Sequence, residues 1–307
     1  MAGNSVSWSN LLEKFARSRK LVTNNNIPMP LEFERLMNLC MTKYDYKDKS
    51  AAYSRAKGSI AKMIIKNGEL NSSAIHYNLK KLDVKNIMTT NYDGLLEKVY
   101  GLTSLGSMCG KRRFCFLEPT DIDDIRGIYF YHLHGLVTKP STICLGQIHY
   151  SRIVNMLQDD LASKKGCAKK TNSNLRILRI LRGEEYSDSW GSLFFTTNVG
   201  IVGFGLADCE LDIWWLLAKR ASLYYQNYGG ASSLINNKIV YYDVVCKATS
   251  EKDRYSQEIK HLLLEGLCVS IVKVNITKAN DYKKAYEAII NCIKDYGISD
   301  REKEINI

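Results

Sequence analysis

Three short stretches carry side chains able to do chemistry where a strand ends. "TTNYD", Thr89 to Asp93, sets two hydroxyls, an amide and a carboxylate between the apolar run "NIM" and "GLLEKVYG", which has the character of a helix. "YFYHLHG", Tyr129 to Gly135, holds two of the five histidines, His132 and His134, at alternate positions and stops on a glycine. "GIVGFGLADCELD", Gly200 to Asp212, is an apolar strand that ends in Gly203-Phe204-Gly205 and enters a helix near Asp208. In open α/β sheets ligands sit outside the carboxyl ends of the strands. A helix that begins there offers unpaired N–H groups and positive partial charge, which suit phosphate or ribose oxygens.

Each stretch also has a plainer use. Asn91 or Asp93 is suited to cap the helix that follows it. His132 and His134, placed on one face of a strand by their alternation, can be buried rings satisfied by carbonyls. Gly135 lets a ligand approach the backbone closely. A glycine turn before a helix is common. With a strand before it and an Asp-capped helix after it, the turn resembles one that cradles a nucleotide. Leu211, Trp214, Trp215 and Ala218 give that helix its expected apolar face. No further ligands stand near the histidines at recognisable metal spacing, so no metal is expected.

The elements that must hold these residues follow from periodicity. "SWSNLLEKFARSRK" has Trp8, Leu11, Leu12 and Phe15 on one helical face, with Ser7 as N-cap. "LEFERLMNLCMTKY", "SAAYSRAKGSIAKMII" and "SSAIHYNLKKL" continue the helices to about residue 82. After Val84 strands are expected at "NIMTT", "RFCFLE", "IYFYHLHG" and "TICLG", then helices at "SRIVNMLQDDLASK" and "NLRILRILRG". "VGIVGFG", "NKIVYYDVV" and "LCVSIVKVN" then read as strands, each followed by a helix. Such alternation predicts an α/β, Rossmann-like fold with a mostly parallel sheet and helices on both faces. The early helices are expected as a cap against that sheet, within one domain spanning 1–307. Segments near 30–82 and 150–183 form the cap and insertion surfaces.

Composition narrows the class. Nine cysteines lie far apart with no C-x-x-C pair, which argues against a structural zinc or a disulfide framework. No stretch reaches the roughly 18 apolar residues of a membrane span, and no basic-then-apolar leader opens the chain. The expected compartment is the cytoplasm. A formal net charge of +11 favours polyanions or an acidic partner, with a local concentration in "SKKGCAKKTNSNLRILRILRG". No nucleic-acid reading motif accompanies it. Contact with nucleic acid is therefore expected only through a partner.

Taken in order at their strand ends, the three stretches resemble the sirtuin-like NAD-consuming family. Its T-Q-N-x-D corresponds here to Thr89, Thr90, Asn91, Tyr92 and Asp93. Its H-G corresponds to His134 and Gly135, and its G-x-S to Gly203, Phe204 and Gly205. The forms "TTNYDxLLE", "HLHG" and "GFGLxDxxL" are most similar to the bacterial antiphage-defence branch. Those members hydrolyse NAD and lack the zinc cysteines, as this chain does. The family opens on a Gly-Ala-Gly phosphate loop before a tryptophan and Leu-Leu. Trp8, Leu11 and Leu12 match the tail of that motif, and Gly3, Asn4 and Ser5, with Ala2, are expected to be at most a remnant of the loop.

The resemblance implies NAD as substrate and abortive infection as the setting. It also implies a homo-oligomer, or a helicase-like ATPase or Argonaute-like partner, that keeps the enzyme quiet. It implies catalytic roles for Asn91, holding water or ribose, and for His134, a base acting on a ribose hydroxyl or the attacking water. Thr89, Thr90, Asp93 and Gly3 to Ser5 would contact the substrate, and Gly203 to Gly205 with Asp208 would line its adenosine end. Asp93 would bond ribose, bond the nicotinamide amide, or cap its helix. The alternatives are an NAD-dependent deacylase and a non-catalytic NAD or ADP-ribose-binding subunit.

Overall fold

The computed structural model describes residues 8–43, 48–66, 74–102, 121–123, 127–162, 175–301 and 303–307. Gly3, Asn4, Ser5, the Ser7 cap, the "RFCFLE" strand and the lysines of 163–174 lie outside them, as do Cys109, Cys115 and Cys167.

Four helices come first: α1 (Trp8–Ser18), α2 (Met29–Lys43), α3 (Lys49–Lys66) and α4 (Ala74–Leu79). On α1 the predicted stripe is the buried one, with Leu11, Leu12, Phe15 and Ala16 enclosed. They pack with Phe33, Leu36 and Met37 of α2 and Ile60 of α3 onto Val137, Ile143 and Leu145, and Trp8 and Tyr92 lie against the same cluster. The helices therefore cover the region of the "TTNYD" and "HLHG" turns. Their apolar stripes stay out of water only by lying on it.

The strands form two sheets among the described residues. β1 (Asn86–Thr89) pairs in parallel with β3 (Ile128–His132), and β2 (Asp121–Asp123) runs antiparallel on the other side of β3. The second sheet is wholly parallel in the order β4 (Val199–Val202), β5 (Ile239–Cys246), β6 (Ser270–Ile276), β7 (Glu304–Asn306). The α/β class and the parallel pairing follow the predicted alternation.

Helices cover both faces of the second sheet. α9 (Leu211–Tyr225) packs on the face presented by Ile239 and Tyr241. α12 (Tyr282–Tyr296) packs on the opposite face, presented by Val240 and Tyr242. β5 is nearly all buried, as a strand covered on both sides must be. One core cluster runs from Tyr131 and Leu133, at the end of β3, through α6 (Gln147–Leu161), α7 (Arg176–Leu181) and α8 (Trp190–Thr196) to Val199 and Ile201 of β4. It joins the two sheets through packed side chains. α5 (Leu95–Tyr100) follows β1, the short α10 (Ala231–Leu234) follows α9, and α11 (Glu251–Gly266) lies between β5 and β6 in the chain.

Three expectations are corrected. "TICLG" is not a strand but a 3-10 turn at Pro140–Thr142 followed by extended chain. The Thr142 hydroxyl accepts from the Leu136 N–H at 3.0 Å and donates to the Lys139 carbonyl, so local side-chain bonds replace a ladder. The helix after the glycine turn begins at Leu211, with Glu210 at its cap position and no side-chain cap, not near Asp208. Its buried face is Asp212, Ile213, Leu216, Leu217, Arg220 and Ala221; Ala218 is exposed, and Trp214 and Trp215 are half-buried. Apolar residues ring this helix, and the two buried polar side chains decide its rotation. In "LRILRILRG", Arg182 is exposed and donates to the Gly229 carbonyl at 2.9 Å, whereas the other two arginines are paired with carboxylates. Arg176 pairs with Asp160 and Glu185, and Arg179 with Glu185. α8 has no counterpart in the expected elements; Ser189 caps it by accepting from the Gly191 N–H.

Gly135 has φ +93, and a Cβ there would lie 2.3 Å from the Thr142 carbonyl oxygen. What approaches this glycine is the chain's own 140–143 segment, not a ligand. Gly135→Ala is expected to destabilise by at least about 2 kcal/mol, since it adds a backbone clash to a left-handed φ. A urea midpoint equal to the parent's would show that the turn relaxes freely.

Candidate active site

β1 ends at Thr89, whose hydroxyl accepts from the Asn91 N–H at 3.1 Å and so bends the chain out of the sheet. Asp93 accepts from the Leu95 N–H at 3.1 Å, a side-chain turn at the start of α5. Burial pushes the Asp93 carboxyl up, its N–H bond only partly offsetting this. Thr90 sits half-buried between strand and turn, and Asn91 is exposed.

Three bonds stitch this turn to the end of β3. The Leu133 N–H donates to the Thr89 carbonyl at 2.9 Å. The Val137 N–H donates to the Tyr92 carbonyl at 2.9 Å. His132 Nδ1–H donates to the Asn91 carbonyl at 2.9 Å. The other nitrogen of His132 meets Glu97 Oε1 at 2.5 Å, and both side chains are fully buried. Burial opposes charge on this ring, but the Glu97 carboxylate outweighs it and raises the pKa above its ordinary value.

β3 stops at His132, so the two histidines do not share a strand face as their alternation predicts. His132 faces Glu97, whereas His134 turns to the start of α9. His134 Nε2 lies 3.0 Å from Asp212 Oδ2 and 3.6 Å from Glu210 Oε2. The ring is 2% exposed, and Tyr150 of α6 stands edge-on to it at 5.2 Å. Burial again opposes charge, and Asp212, then Glu210, outweigh it, so the His134 pKa is raised. With Nε2–H committed to Asp212, Nδ1 is the nitrogen left to act as base, the tautomer being set by the carboxylate. Tyr92 completes the corner by donating to the Cys144 carbonyl at 2.6 Å, while the Cys144 N–H donates to the His134 carbonyl at 2.8 Å.

Asn91 and His134 do not hydrogen-bond to one another. They are drawn to one corner by Tyr92, by His132 and by the backbone bonds between the turns. Glu97, Glu210, Asp212 and Tyr150 were not expected from the sequence. Glu97, Glu210 and Asp212 lay inside quoted stretches with their burial still unread, Tyr150 lay outside them, and none stands at a metal- or triad-like spacing.

The glycine turn leads to the other half of the site. Tyr241 donates to the Phe204 carbonyl at 3.0 Å and Lys260 to the Gly205 carbonyl at 3.4 Å. Gly203 has φ +67, within reach of the Tyr286 ring. Gly205 and Asp208, with Trp214, Val244, Gln257 and Lys260, line a cleft of about 590 Å³. The same turn, two residues on, supplies Glu210 and Asp212 to His134. The cleft and the histidine corner are thus joined by one short segment.

Residues 85–228 match the family model of the SIR2-like domain. The match supports a sirtuin-like family. It runs from β1 through α9 and contains all three motif stretches. SIR2-like domains use NAD, and the match suggests an NAD-related activity. No curated protein matches the chain. No helix among the described residues is long and apolar enough to cross a membrane. His134, Glu210 and Asp212 each offer a ligand atom within 4.8 Å of the others, the spread of a divalent-cation site. The His134–Asp212 and Tyr150–Glu210 hydrogen bonds account for the same distances without an ion.

The raised His132 pKa sets a sign. The paired, charged ring stabilises the fold fully below its ordinary value of 6.5, and the contribution is lost as pH rises through the higher folded value. His132→Gln is expected to cost about 3 kcal/mol near pH 6, as breaking a buried pair does, and less near pH 9. Urea unfolding at the two pH values measures both; a penalty that grows with pH contradicts a charged His132.

Proposed function

We propose that the chain is an NAD glycohydrolase, releasing nicotinamide and ADP-ribose, and that it acts as an abortive-infection effector in antiphage defence. The observation that carries the activity is the corner where the "TTNYD" turn, His134 and the start of α9 meet beside the cleft at Gly205 and Asp208. The SIR2-like match and the absence of a cysteine pair for zinc support the same reading.

The bond to break joins nicotinamide to ribose. Its leaving group is already cationic and departs neutral, so no general acid is required, unlike an ordinary glycoside. What remains is to orient the ribose, stabilise an oxocarbenium-like carbon and activate a nucleophile. Asn91, exposed on a turn held by His132, orients ribose or water through its side-chain amide. Such positioning is worth several kcal/mol of barrier. His134, its Nε2 held by Asp212, accepts a proton at Nδ1. The adenosine end lies along Gly203 to Gly205 and Asp208, and Thr89, Thr90 and Asp93 shape the ribose side. Gly3 to Ser5 are proposed for the pyrophosphate. The chain works in the cytoplasm without a metal, as a homo-oligomer or under a helicase-like ATPase or Argonaute-like partner, through which alone it meets nucleic acid.

Asn91→Ala and His134→Ala are each expected to abolish NAD loss, at least about 100-fold as for lost positioning and base catalysis, with the fold retained. Nicotinamide release by the purified chain, without acylated peptide, is the measurement. Parent-rate turnover by either variant removes that residue from the mechanism, and turnover only with acylated peptide makes the chain a deacylase. In the parent, turnover should rise with pH through a value above 6.5, because the raised His134 pKa must be exceeded before the ring can accept a proton. A flat profile from pH 6 to 9 would remove the imidazole from the rate-limiting step.

A further inference from the structure

We propose that Glu210 is a catalytic carboxylate that takes the proton of the attacking water. This rests on the glycohydrolase reading above and assigns it a residue to which the family resemblance gives no role.

His134, Glu210 and Asp212 form a trio whose members differ in what they have left to offer. Asp212 is fully enclosed, and its Oδ2 holds His134 Nε2 at 3.0 Å. It cannot reach a ligand and acts through the ring. His134 is 2% exposed and has one nitrogen committed to Asp212. Glu210 differs from both. Its side chain is 17% exposed, more than any other member of the trio. Oε2 accepts from the Tyr150 hydroxyl at 3.2 Å and lies 3.6 Å from His134 Nε2. Oε1 has no partner among the described residues. One carboxylate oxygen is thus pinned, and the other is left to meet a ligand.

Glu210 also occupies the right place along the chain. It stands at the cap position of α9 yet caps nothing with its side chain. Two residues before it, Asp208 lines the cleft. A substrate laid from the cleft to the histidine corner passes this carboxylate. Burial, with Asp212 nearby, raises the Glu210 carboxyl against the pull of His134, and so makes it a stronger base than a surface glutamate.

The C1′–N bond breaks with its electron pair going to the pyridine nitrogen, which becomes neutral. Water forms the C1′–O bond and gives one proton to Glu210, which returns it to solvent. NAD and water become ADP-ribose, nicotinamide and a proton. His134 is then left for the ribose hydroxyl. The arrangement also bears on the acceptor: a carboxylate poised for water favours hydrolysis over transfer to an acyl oxygen.

The test compares the parent chain with Glu210→Gln, which keeps the shape and the bond from Tyr150, and with Tyr150→Phe, which keeps the carboxylate. Nicotinamide release gives kcat, and NAD titration gives Kd. Glu210→Gln is expected to lower kcat at least tenfold with Kd changed less than threefold, and Tyr150→Phe to lower it less than fivefold. A smaller loss in Glu210→Gln, a loss confined to Kd, or an equal loss in Tyr150→Phe overturns the proposal. A parent chain that releases no nicotinamide sinks the glycohydrolase reading itself, whereas a working parent with an equally active Glu210→Gln sinks only the role of Glu210. Should Glu210→Gln fail to fold, Glu210→Asp serves, since it keeps the charge and shortens the reach; parent-level kcat there overturns the proposal and a tenfold loss supports it.

Discussion

His132 is enclosed on every side, and each of its nitrogens meets an acceptor, the Asn91 carbonyl on one and the Glu97 carboxylate on the other. A carbonyl can only accept, so Nδ1 must carry a proton, and the carboxylate favours one on Nε2 as well. A charge taken out of water in this way is tolerable only because its partners are fixed. The consequence is geometric. β1 and β3 are parallel neighbours, and their ends need not have turned toward one place. The imidazolium ties the turn after β1 both to the last residue of β3 and to α5. With Leu133 on Thr89 and Val137 on Tyr92, it makes one rigid corner from two loops.

The second histidine uses the same physics differently. His134 also faces a carboxylate in a dry setting, but Asp212 and Glu210 come from the start of α9, which follows β4 of the second sheet. The two imidazoles therefore pull in two directions, one inward to α5 and one across to the glycine turn. Between them they connect the three-stranded sheet with the start of the four-stranded one. The packed cluster from Tyr131 and Leu133 to Val199 and Ile201 supplies the apolar support beneath these polar contacts. Polar groups so enclosed strengthen one another in a low dielectric and cost heavily if any partner is lost. Asp212 and Glu97 each retain a buried oxygen without a partner among the described residues, which marks both as points of stored polarity.

The cap of α1 to α3 makes this corner dry. Phe15, Phe33 and Leu36 enclose the 137–145 segment, and Tyr92, at the centre of the first motif, is packed against that cluster while its hydroxyl reaches Cys144. Burial of this kind drives the Tyr92 and Tyr150 hydroxyls far from ionisation, so both act as hydrogen-bond donors. The helical segment and the histidine corner are thus one physical unit, although they are distant in the chain.

Much of the fold was legible in the sequence because periodicity records burial. The stripe Leu11, Leu12, Phe15 and the apolar run of β5 announce a helix face and a two-sided strand, and the parallel alternation follows from their order. The positions of "TTNYD", "HLHG" and "GFG" at strand ends were legible too, since glycine and small polar residues punctuate apolar runs. What the sequence left undetermined is rotation and direction. Two residues apart, His132 and His134 predict one face, yet the strand ends between them and they diverge. Hydropathy placed Trp214 inward on α9, whereas Asp212 and Arg220 face the core because each has a polar partner there. Asp212 has His134, and Arg220 has Asn237. Local pattern determined the elements and their ends. Only tertiary contact decided which carboxylate meets which imidazole, because a buried charge is placed by its partner and not by the period of its helix.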